Sequence, residues 1–277
     1  MTERSILITG CSSGIGLATA HRLRDRGWRV FAACRQARDC DILRDAGFDS
    51  PRIDYTDPDS IVTGLAEVLE ATGGRLDVLF NNGAHGLAGA VEDLPTDALR
   101  AIFEANVFGW HELTRYVLPV MRAQGFGRVI QCSSVLGIAP LRWRGAYVAS
   151  KHVLEGLTDC LRLELRDTPI DVVLIEPGPI TTDFRIKGRE HFERWIDWEN
   201  SAHADMYRTE LGPRLYEDPP RVERFERPAD SVARVVVRAI ETRRPRARYR
   251  VTVPTHAMEW ARRLLPGRWR DALIARA

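Results

Sequence analysis

The chain has 277 residues, of which 44% are hydrophobic, and its formal net charge is +2. This length suits one large domain with a sizeable buried core. The near-neutral charge gives no electrostatic reason to expect a nucleic-acid partner, and no apolar run is long enough to span a bilayer. The five cysteines lack CxxC spacing, and no leader pattern precedes the first apolar run. We therefore expect free thiols and a cytoplasmic location.

Short apolar runs alternate with longer helical patterns along the chain. The runs are apolar throughout, which is typical of strands buried on both faces of a parallel sheet. The predicted strands are 5–9, 28–34, 76–81, 127–133 and 171–177. The predicted helices are 16–26, 58–71, 96–123, 147–166 and 229–242. This alternation predicts an α/β fold, with a doubly wound Rossmann-type parallel sheet in a single domain over 1–277.

The stretch 182–226 breaks the alternation, because it is rich in aromatic and charged residues and contains Pro219 and Pro220. A strand-like run covers 248–253, and an arginine-rich helical extension covers about 255–277. The extension allows two interpretations, an amphipathic helix on a membrane surface or a solvated cap on the fold. We expect the cap, without membrane contact.

A glycine-rich loop follows the first predicted strand and opens a helix, in "ITGCSSGIGLATA". Glycines permit a tight turn and a close backbone approach, and the start of a helix attracts phosphate groups. The expected binding residues are Gly10, Ser12, Ser13, Gly14, Ile15 and Gly16. Strand before and helix after favour a nucleotide site over the alternative, a β–α turn without a ligand.

A tyrosine and a lysine lie four residues apart in "GAYVASKHVLEG". They are Tyr147 and Lys151, and the only other lysine of the chain is Lys187. Residues at this spacing share one face of a helix. A nearby ammonium stabilises a phenolate, so we expect Lys151 to lower the pKa of Tyr147 toward working pH. The YxxxK pattern alone is a common coincidence, and its partners decide its meaning.

The TGxxxGxG pattern that begins at Thr9, together with the Tyr147–Lys151 spacing, resembles the short-chain dehydrogenase/reductase family over at least 5–184. The resemblance implies hydride transfer between a nicotinamide cofactor and a carbonyl or alcohol. It implies Ser134 in "QCSSVLG" as the catalytic serine, whereas the neighbouring Ser133 should face the other way on a strand. It also implies that Asn106, in "EANVFGW", holds a water in a proton relay. The expected catalytic set is Asn106, Ser134, Tyr147 and Lys151.

The end of the second predicted strand, "FAACRQAR", bears on cofactor choice. An acidic residue here would repel a 2′-phosphate, but Cys34 holds this place and Arg35 follows. A guanidinium can pair with that phosphate, so NADP(H) is favoured over NAD(H). The alternative is that Arg35 is a solvated surface residue. The resemblance also implies adenosine contacts by Asp54 and by Asn82, in "FNNGAHG", where Gly83 and Ala84 are exchanged relative to the family pattern.

The segment "EPGPITTDF" resembles the family's nicotinamide-binding stretch, which implies roles for Gly178, Ile180 and Thr182. The residues after it, about 183–226, then form a helical substrate lid, whose aromatics favour a bulky hydrophobic small-molecule substrate. The family commonly pairs subunits through helices that match 96–123 and 147–166, so we expect a homodimer or homotetramer. No cluster has metal-ligand spacing, and we expect no metal.

Two other functions agree with parts of this pattern. A non-catalytic nucleotide-binding regulator could keep the fold, but it has no need of the complete catalytic set. An epimerase or dehydratase of nucleotide sugars has a related fold, but such enzymes usually carry TGxxGxxG and a longer C-terminal domain. The sequence favours the oxidoreductase.

Overall fold

The structure is a computed structural model, and it describes residues 3–217 and 222–275. Pro219 and Pro220 of the predicted lid lie outside the described residues, as do positions 276–277 at the end of the predicted extension.

Parallel strands form the centre of the molecule. The strands are β1 (Ser5–Thr9), β2 (Arg29–Ala33), β3 (Val78–Asn81), β4 (Gly127–Cys132), β5 (Ile170–Glu176), β6 (Ile180–Thr181), β7 (Arg227–Pro228) and β8 (Arg248–Arg250). Within the described residues, six of them form one parallel sheet in the order β2-β1-β3-β4-β5-β8, and β6 pairs with β7 separately. Side chains of the central strands are almost fully buried, which is why their sequences are apolar throughout.

Helices cover both faces of this sheet. They are α1 (Gly14–Arg24), α2 (Ala37–Asp45), α3 (Pro58–Ala71), α4 (Thr96–Phe103), α5 (Gly109–Gln124), α6 (Gly145–Glu164), α7 (Phe184–Trp195), α8 (Ala204–Met206), α9 (Gly212–Tyr216), α10 (Ala229–Glu241), α11 (Val253–Leu264) and α12 (Gly267–Ile274). Helix α1 packs against α10, whereas α3 packs against α5 and α4 against α6. The doubly wound α/β architecture in one domain is therefore confirmed.

The strand order reverses between β1 and β3, since the chain passes from β1 to β2 on one side and returns to β3 on the other. Ligands of open α/β sheets bind where the carboxyl ends of the strands meet such a reversal. The loops that follow β1 and β3 meet there, and they carry the glycine-rich sequence and Asn82.

The predicted helix 96–123 is wrong in one respect. It consists of α4 and α5 joined by a π-helical turn over Glu104–Phe108. A π turn contains one residue more than an α-helical turn, so the regular backbone hydrogen bonds of the helix are interrupted there. Other contacts must then stabilise the turn. These contacts come from Asn106, whose side chain bonds to the loop after β3.

Two other boundaries also differ from the prediction. Helix α2 was not predicted, because only Cys40 and Leu43 of its nine residues are buried. The predicted strand 248–253 ends at Arg250. Pro254 lies in the first turn of α11, where proline favours the start of a helix and ends the extended conformation.

The residues after β6 build a second hydrophobic cluster beside the main core. Helix α7 contributes Phe192, and a second π turn, Tyr207–Leu211, contributes Tyr207 and Leu211. Tyr207 is held by two hydrogen bonds, from its hydroxyl to Asp93 (2.7 Å) and from the backbone N–H of Ala90 to that hydroxyl (2.7 Å). Tyr147 belongs to the same cluster, so this segment packs directly over the expected catalytic residue.

The helices α11 and α12 end the described chain. Helix α12 has no buried residue, and Trp260 and Trp269 are largely exposed. None of the helices that the structure describes combines the length and apolarity that a bilayer crossing requires.

Candidate active site

The glycine-rich loop after β1 lies tightly against the loop after β3. Gly10 has φ +69°, and a Cβ added to it would lie 2.6 Å from the Cα of Gly83. A side chain at this position would both strain the backbone and separate the two loops. The hydroxyl of Thr9 fixes the same junction, because it accepts hydrogen bonds from the N–H groups of Asn82 (3.0 Å) and Gly83 (3.1 Å).

The start of α1 is an electropositive surface that carries two serine hydroxyls. Ser13 is the N-cap residue, but its side chain makes no capping hydrogen bond, and the first turn of α1 contains no acidic residue. The hydroxyls of Ser12 and Ser13 instead accept hydrogen bonds from Nζ of Lys187, at 3.2 and 3.1 Å. Helix N–H groups, hydroxyls and an ammonium are suitable donors for the diphosphate of a dinucleotide. Ile15 packs against the main core behind them.

Asn82 and Asn106 connect the loop after β3 to the helices beside it. The Asn82 amide donates to the carbonyl of Thr9 (3.0 Å), so it supports the glycine-rich loop. Asn106 is fully buried in the π turn. Its amide oxygen accepts the N–H of His85 (3.1 Å), and its amide nitrogen donates to the His85 carbonyl (2.9 Å) and to the Ser150 hydroxyl (3.2 Å). Asn106 therefore joins the β3 loop to α6.

Ser134 and Tyr147 face each other across the carboxyl end of β4. Ser134 lies just after β4, and its Oγ accepts the N–H of Leu136 (3.1 Å). Ser134 lies close enough to the Tyr147 hydroxyl to act on the pKa of that phenol. Burial raises the pKa of Tyr147 well above its usual value. Ser134 and the positive charge of Arg144 lower it, but burial is the larger effect. The buried phenol therefore stays protonated near neutral pH.

Ser133 points away from this pair, as expected for alternate residues. Its hydroxyl lies beside Gly137 and the side chain of Glu155. His152 also points away, with its Nδ1 2.9 Å from the Val148 carbonyl oxygen.

Lys151 is only 2% exposed and is held in one position. Its Nζ donates to the Cys132 carbonyl (2.7 Å) and lies 4.3 Å from the Trp110 ring centroid, where a cation–π attraction favours it. Burial lowers the pKa of Lys151 to about 8. Nζ is 5.7 Å from the Tyr147 ring centroid, and Lys151 is not among the groups that shift the pKa of Tyr147. The expected lowering of the Tyr147 pKa is therefore not seen, because burial of the phenol outweighs the effects that lower this pKa.

Arg35 and Asp54, two of the three residues expected at the adenosine end, follow β2 in the sequence. Arg35 is exposed directly after β2, and its charge lowers the pKa of both His85 and His191, which places it beside the loop after β3. Asp54 forms a local turn, because its Oδ1 accepts hydrogen bonds from the N–H (3.0 Å) and the hydroxyl (2.8 Å) of Thr56.

The residues expected at the nicotinamide end lie after β5, and they face different neighbours. A Cβ on Gly178 would lie 2.0 Å from Oγ1 of Thr252, so this glycine allows close packing against the start of α11. Ile180 pairs with Arg227 in the small sheet. Thr182 lies against the glycine-rich loop, since its Cγ2 is 3.0 Å from the place of a Cβ on Gly14.

Sequence reasoning missed several residues that border this site. His85 holds Asn106 with its backbone, and its ring stacks on His191 of α7, with centroids 3.7 Å apart. The Phe184 ring, also on α7, lies edge-on to Tyr147 at 5.3 Å. Lys187 contacts Ser12 and Ser13 of the glycine-rich loop. Lys187 alone had a sequence signal, as the only lysine besides Lys151. No group of three or more metal-ligating side chains occurs among the described residues.

A family model described as short chain dehydrogenase matches residues 4–192. The chain belongs to this family. Among curated relatives, the uncharacterized oxidoreductase YbbO of Escherichia coli (strain K12) is 38% identical over 272 residues, which cover 98% of this chain and 94% of YbbO. The NADPH-dependent 3-dehydrocapnine reductase of Ornithobacterium rhinotracheale is 30% identical, over 98% of this chain and 96% of that protein.

Solved structures of short-chain dehydrogenases agree with the fold. One from Burkholderia phymatum, in complex with NAD, has a TM-score of 0.77 and 26% identity, and the match covers 95% of this chain and 92% of that one. The chain is thus an oxidoreductase of the short-chain dehydrogenase family, a class that acts on alcohol and carbonyl groups with a nicotinamide cofactor.

Proposed function

We propose that this short-chain dehydrogenase is an NADP(H)-dependent oxidoreductase that interconverts a bulky hydrophobic ketone or aldehyde and its alcohol. The observation that carries the proposal is that Ser134, Tyr147 and the ammonium of Lys151 are buried together at the carboxyl edge of the sheet, with Nζ 5.7 Å from the Tyr147 ring centroid. A regulator without turnover would have no need of a buried cation at this place.

In this proposal a reduced nicotinamide, when bound, supplies the hydride. The hydroxyl of Ser134 donates a hydrogen bond to the carbonyl oxygen of the substrate and stabilises the charge that develops on it. Tyr147 gives that oxygen its proton, because burial keeps the phenol protonated. The reverse reaction uses the same two groups, with Tyr147 as proton acceptor.

Lys151 and Asn106 support Tyr147 in this mechanism. The ammonium of Lys151 stabilises the phenolate that forms after proton transfer. Asn106 holds the backbone of His85 with both atoms of its amide, and this fixes the π turn beside α6. We propose that water at this turn returns the proton to Tyr147.

Cofactor preference rests on Arg35, which is exposed at the end of β2 and has no carboxylate at its side among residues 3–217 and 222–275. Replacement of Arg35 by serine is expected to raise the Kd for NADPH by about tenfold or more, since a charge-assisted phosphate contact is lost. The Kd for NADH should change by less than about threefold, because NADH lacks the 2′-phosphate. Quenching of protein fluorescence by each cofactor measures both constants.

Arg38→Ser is the matched control, because Arg38 is 79% exposed on its side chain and lies 3.6 Å from Asp39. It should leave both constants nearly unchanged. An equal effect of Arg35→Ser on NADPH and NADH would contradict the assignment of Arg35 to the 2′-phosphate.

The proposed substrate class follows from the cluster around Tyr147. Apolar and aromatic side chains from the 183–226 segment and from Trp143 pack near its ring. A screen of ketones, aldehydes and alcohols of increasing size with NADPH and NADH tests the proposal by cofactor absorbance. Hydrophobic carbonyls with NADPH should give the highest kcat/KM. A clear preference for NADH, or cofactor binding without turnover on any compound, would refute it.

We also propose that subunits associate through α5 and α6. Phe108, which directly precedes α5, and Val153 and Leu157 on α6 are between 38% and 51% exposed, although they are apolar. Leu157→Glu is expected to convert a dimer or tetramer into smaller species, as measured by light scattering after size exclusion. Ile42→Glu, on the exposed side of α2, is the matched control and should leave the molar mass unchanged. A monomeric wild-type protein would overturn this proposal.

The proposed location is the cytoplasm. All five cysteines are free, and four of them are buried. Burial raises the pKa of Cys132 to about 11 and that of Cys34 to about 12, so these thiols are unreactive packing groups that need no oxidising compartment.

A further inference from the structure

Lys187 lies where α7 contacts the glycine-rich loop. It is in the first turn of α7, and its backbone N–H bonds to the Asp183 carbonyl (2.9 Å). Its Nζ reaches the hydroxyls of Ser12 and Ser13, which are separated from it by 175 and 174 positions in the sequence. The ammonium therefore lies at the same loop that the sequence assigns to phosphate binding.

No ion pair neutralises this ammonium in the part of the chain that the structure describes. Its recorded partners in the described chain are the two hydroxyls, and no carboxylate lies within ion-pair distance of it. The adjoining first turn of α1 has no acidic residue, and its N–H groups add partial positive charge. Although water solvates this exposed ammonium, an anion placed between Lys187 and the start of α1 would be attracted by both.

Other contacts of α7 keep Lys187 at this place. Phe184, three residues earlier, packs edge-on against Tyr147 and lies against Gly86. His191, one turn later, stacks on His85 with an interplanar angle of 16°. The helix is thus fixed at the reacting end of the cleft and at the loop after β3, and Lys187 lies between these two contacts.

We propose that Lys187 binds the pyrophosphate of the nicotinamide dinucleotide, and that cofactor binding and docking of α7 stabilise each other through this contact. The inference rests on the proposed function, because it concerns the cofactor of that reaction. The pyrophosphate is favoured over the 2′-phosphate because Lys187 reaches Ser13, the N-cap residue of α1, close to the contact of Thr182 with Gly14. Arg35, the residue expected at the 2′-phosphate, lies instead at the end of β2. Coupling of this kind is reciprocal, so whatever weakens docking of α7 also weakens cofactor binding.

The test compares Lys187→Met with the wild-type protein by fluorescence titration of NADPH and NADH. Loss of a charge-assisted hydrogen bond is expected to raise both Kd values by about tenfold. The affinity of the variant should also depend less on salt, since one screened charge pair is gone. Lys187→Arg keeps the charge and should recover most of the affinity.

Arg189→Met is the matched control on the same helix. Arg189 lies over the Tyr216 ring (5.4 Å) and 4.0 Å from Glu193, so its loss removes the same charge from the other side of α7. It should leave both Kd values nearly unchanged. A second measurement is amide hydrogen exchange of α7, which cofactor should slow in the wild type and in Arg189→Met but not in Lys187→Met.

The outcomes separate the two proposals. If the wild-type protein binds neither cofactor, the proposed function fails. If it binds NADPH but Lys187→Met binds equally well, only the role of Lys187 is refuted. An increase in Kd confined to NADPH would place the ammonium at the 2′-phosphate and would overturn the pyrophosphate assignment. Equal effects of Lys187→Met and Arg189→Met would show a general charge effect and refute the contact.

Discussion

Replacement of Tyr147 by phenylalanine is expected to reduce kcat by about 10³-fold, because the reaction loses its general acid. The phenol of Tyr147 lies near Ser134 and packs against Phe184 of α7. The ring itself stays, so packing against Phe184 and the second hydrophobic cluster is preserved. The Kd for NADPH should therefore change by less than about threefold. Steady-state kinetics and fluorescence titration on the same preparation give both values.

Tyr249→Phe provides the matched control for this variant. The Tyr249 hydroxyl accepts the N–H of Arg246 (3.1 Å) in the edge strand β8, away from Ser134. The Tyr249→Phe variant also loses a phenolic hydroxyl, but it should leave kcat nearly unchanged. If Tyr147→Phe kept wild-type turnover, the proposed proton transfer would be eliminated, whatever the cofactor.

Replacement of Lys151 by methionine is expected to lower kcat by about 10²-fold or more, since no cation then stabilises the phenolate of Tyr147. Methionine is similar in length, so the substitution removes charge with little change in volume. It leaves the Cys132 carbonyl without its donor, and some loss of stability is expected as well. Lys151→Arg should also fail, because the buried site has no room for a planar guanidinium.

The pH dependence of stability separates the loss of charge from misfolding. The pKa of Lys151 is lowered from 10.5 to about 8 in the folded protein. Between these values the unfolded chain binds more protons, so this group adds stability as pH rises from about 8 to about 10.5. Below about 8 the group is protonated in both states, so its contribution no longer changes with pH. The free energy of unfolding of the wild type, relative to Lys151→Met, should therefore increase from pH 7.5 to 9.5 in urea titrations. A constant difference would mean that Lys151 is not charged and buried as described.

Apolar strands and the glycine-rich loop were predictable, because their patterns are local. Strands β1 and β5 agree with the prediction to within one residue, and the loop between β1 and α1 makes the expected tight turn, with positive φ at Gly10 and Gly14. Burial on both faces of a sheet demands continuous apolar sequence, and a tight turn demands glycine. Both requirements can therefore be recognised from consecutive residues of the sequence.

Long-range contacts were not predictable from one sequence. The π turn at Asn106 depends on hydrogen bonds to His85, 21 residues away, and a helical pattern carries no sign of it. The pKa of Tyr147 was expected to fall, but burial under a segment that begins 37 residues later raises it. Lys187 attracted notice only as a rare residue type, and its partners Ser12 and Ser13 are known only from the fold.

Because the chain contains only two lysines, one of them can be labelled selectively. Lys151 is closed off from solvent, whereas Lys187 is exposed at the junction of α7 and the glycine-rich loop. An acylating reagent that selects side-chain amines is thus directed to one exposed position, and a dye attached there would report on the contact between α7 and the glycine-rich loop. The position of α7 in solution becomes open to optical observation without engineering a new attachment residue.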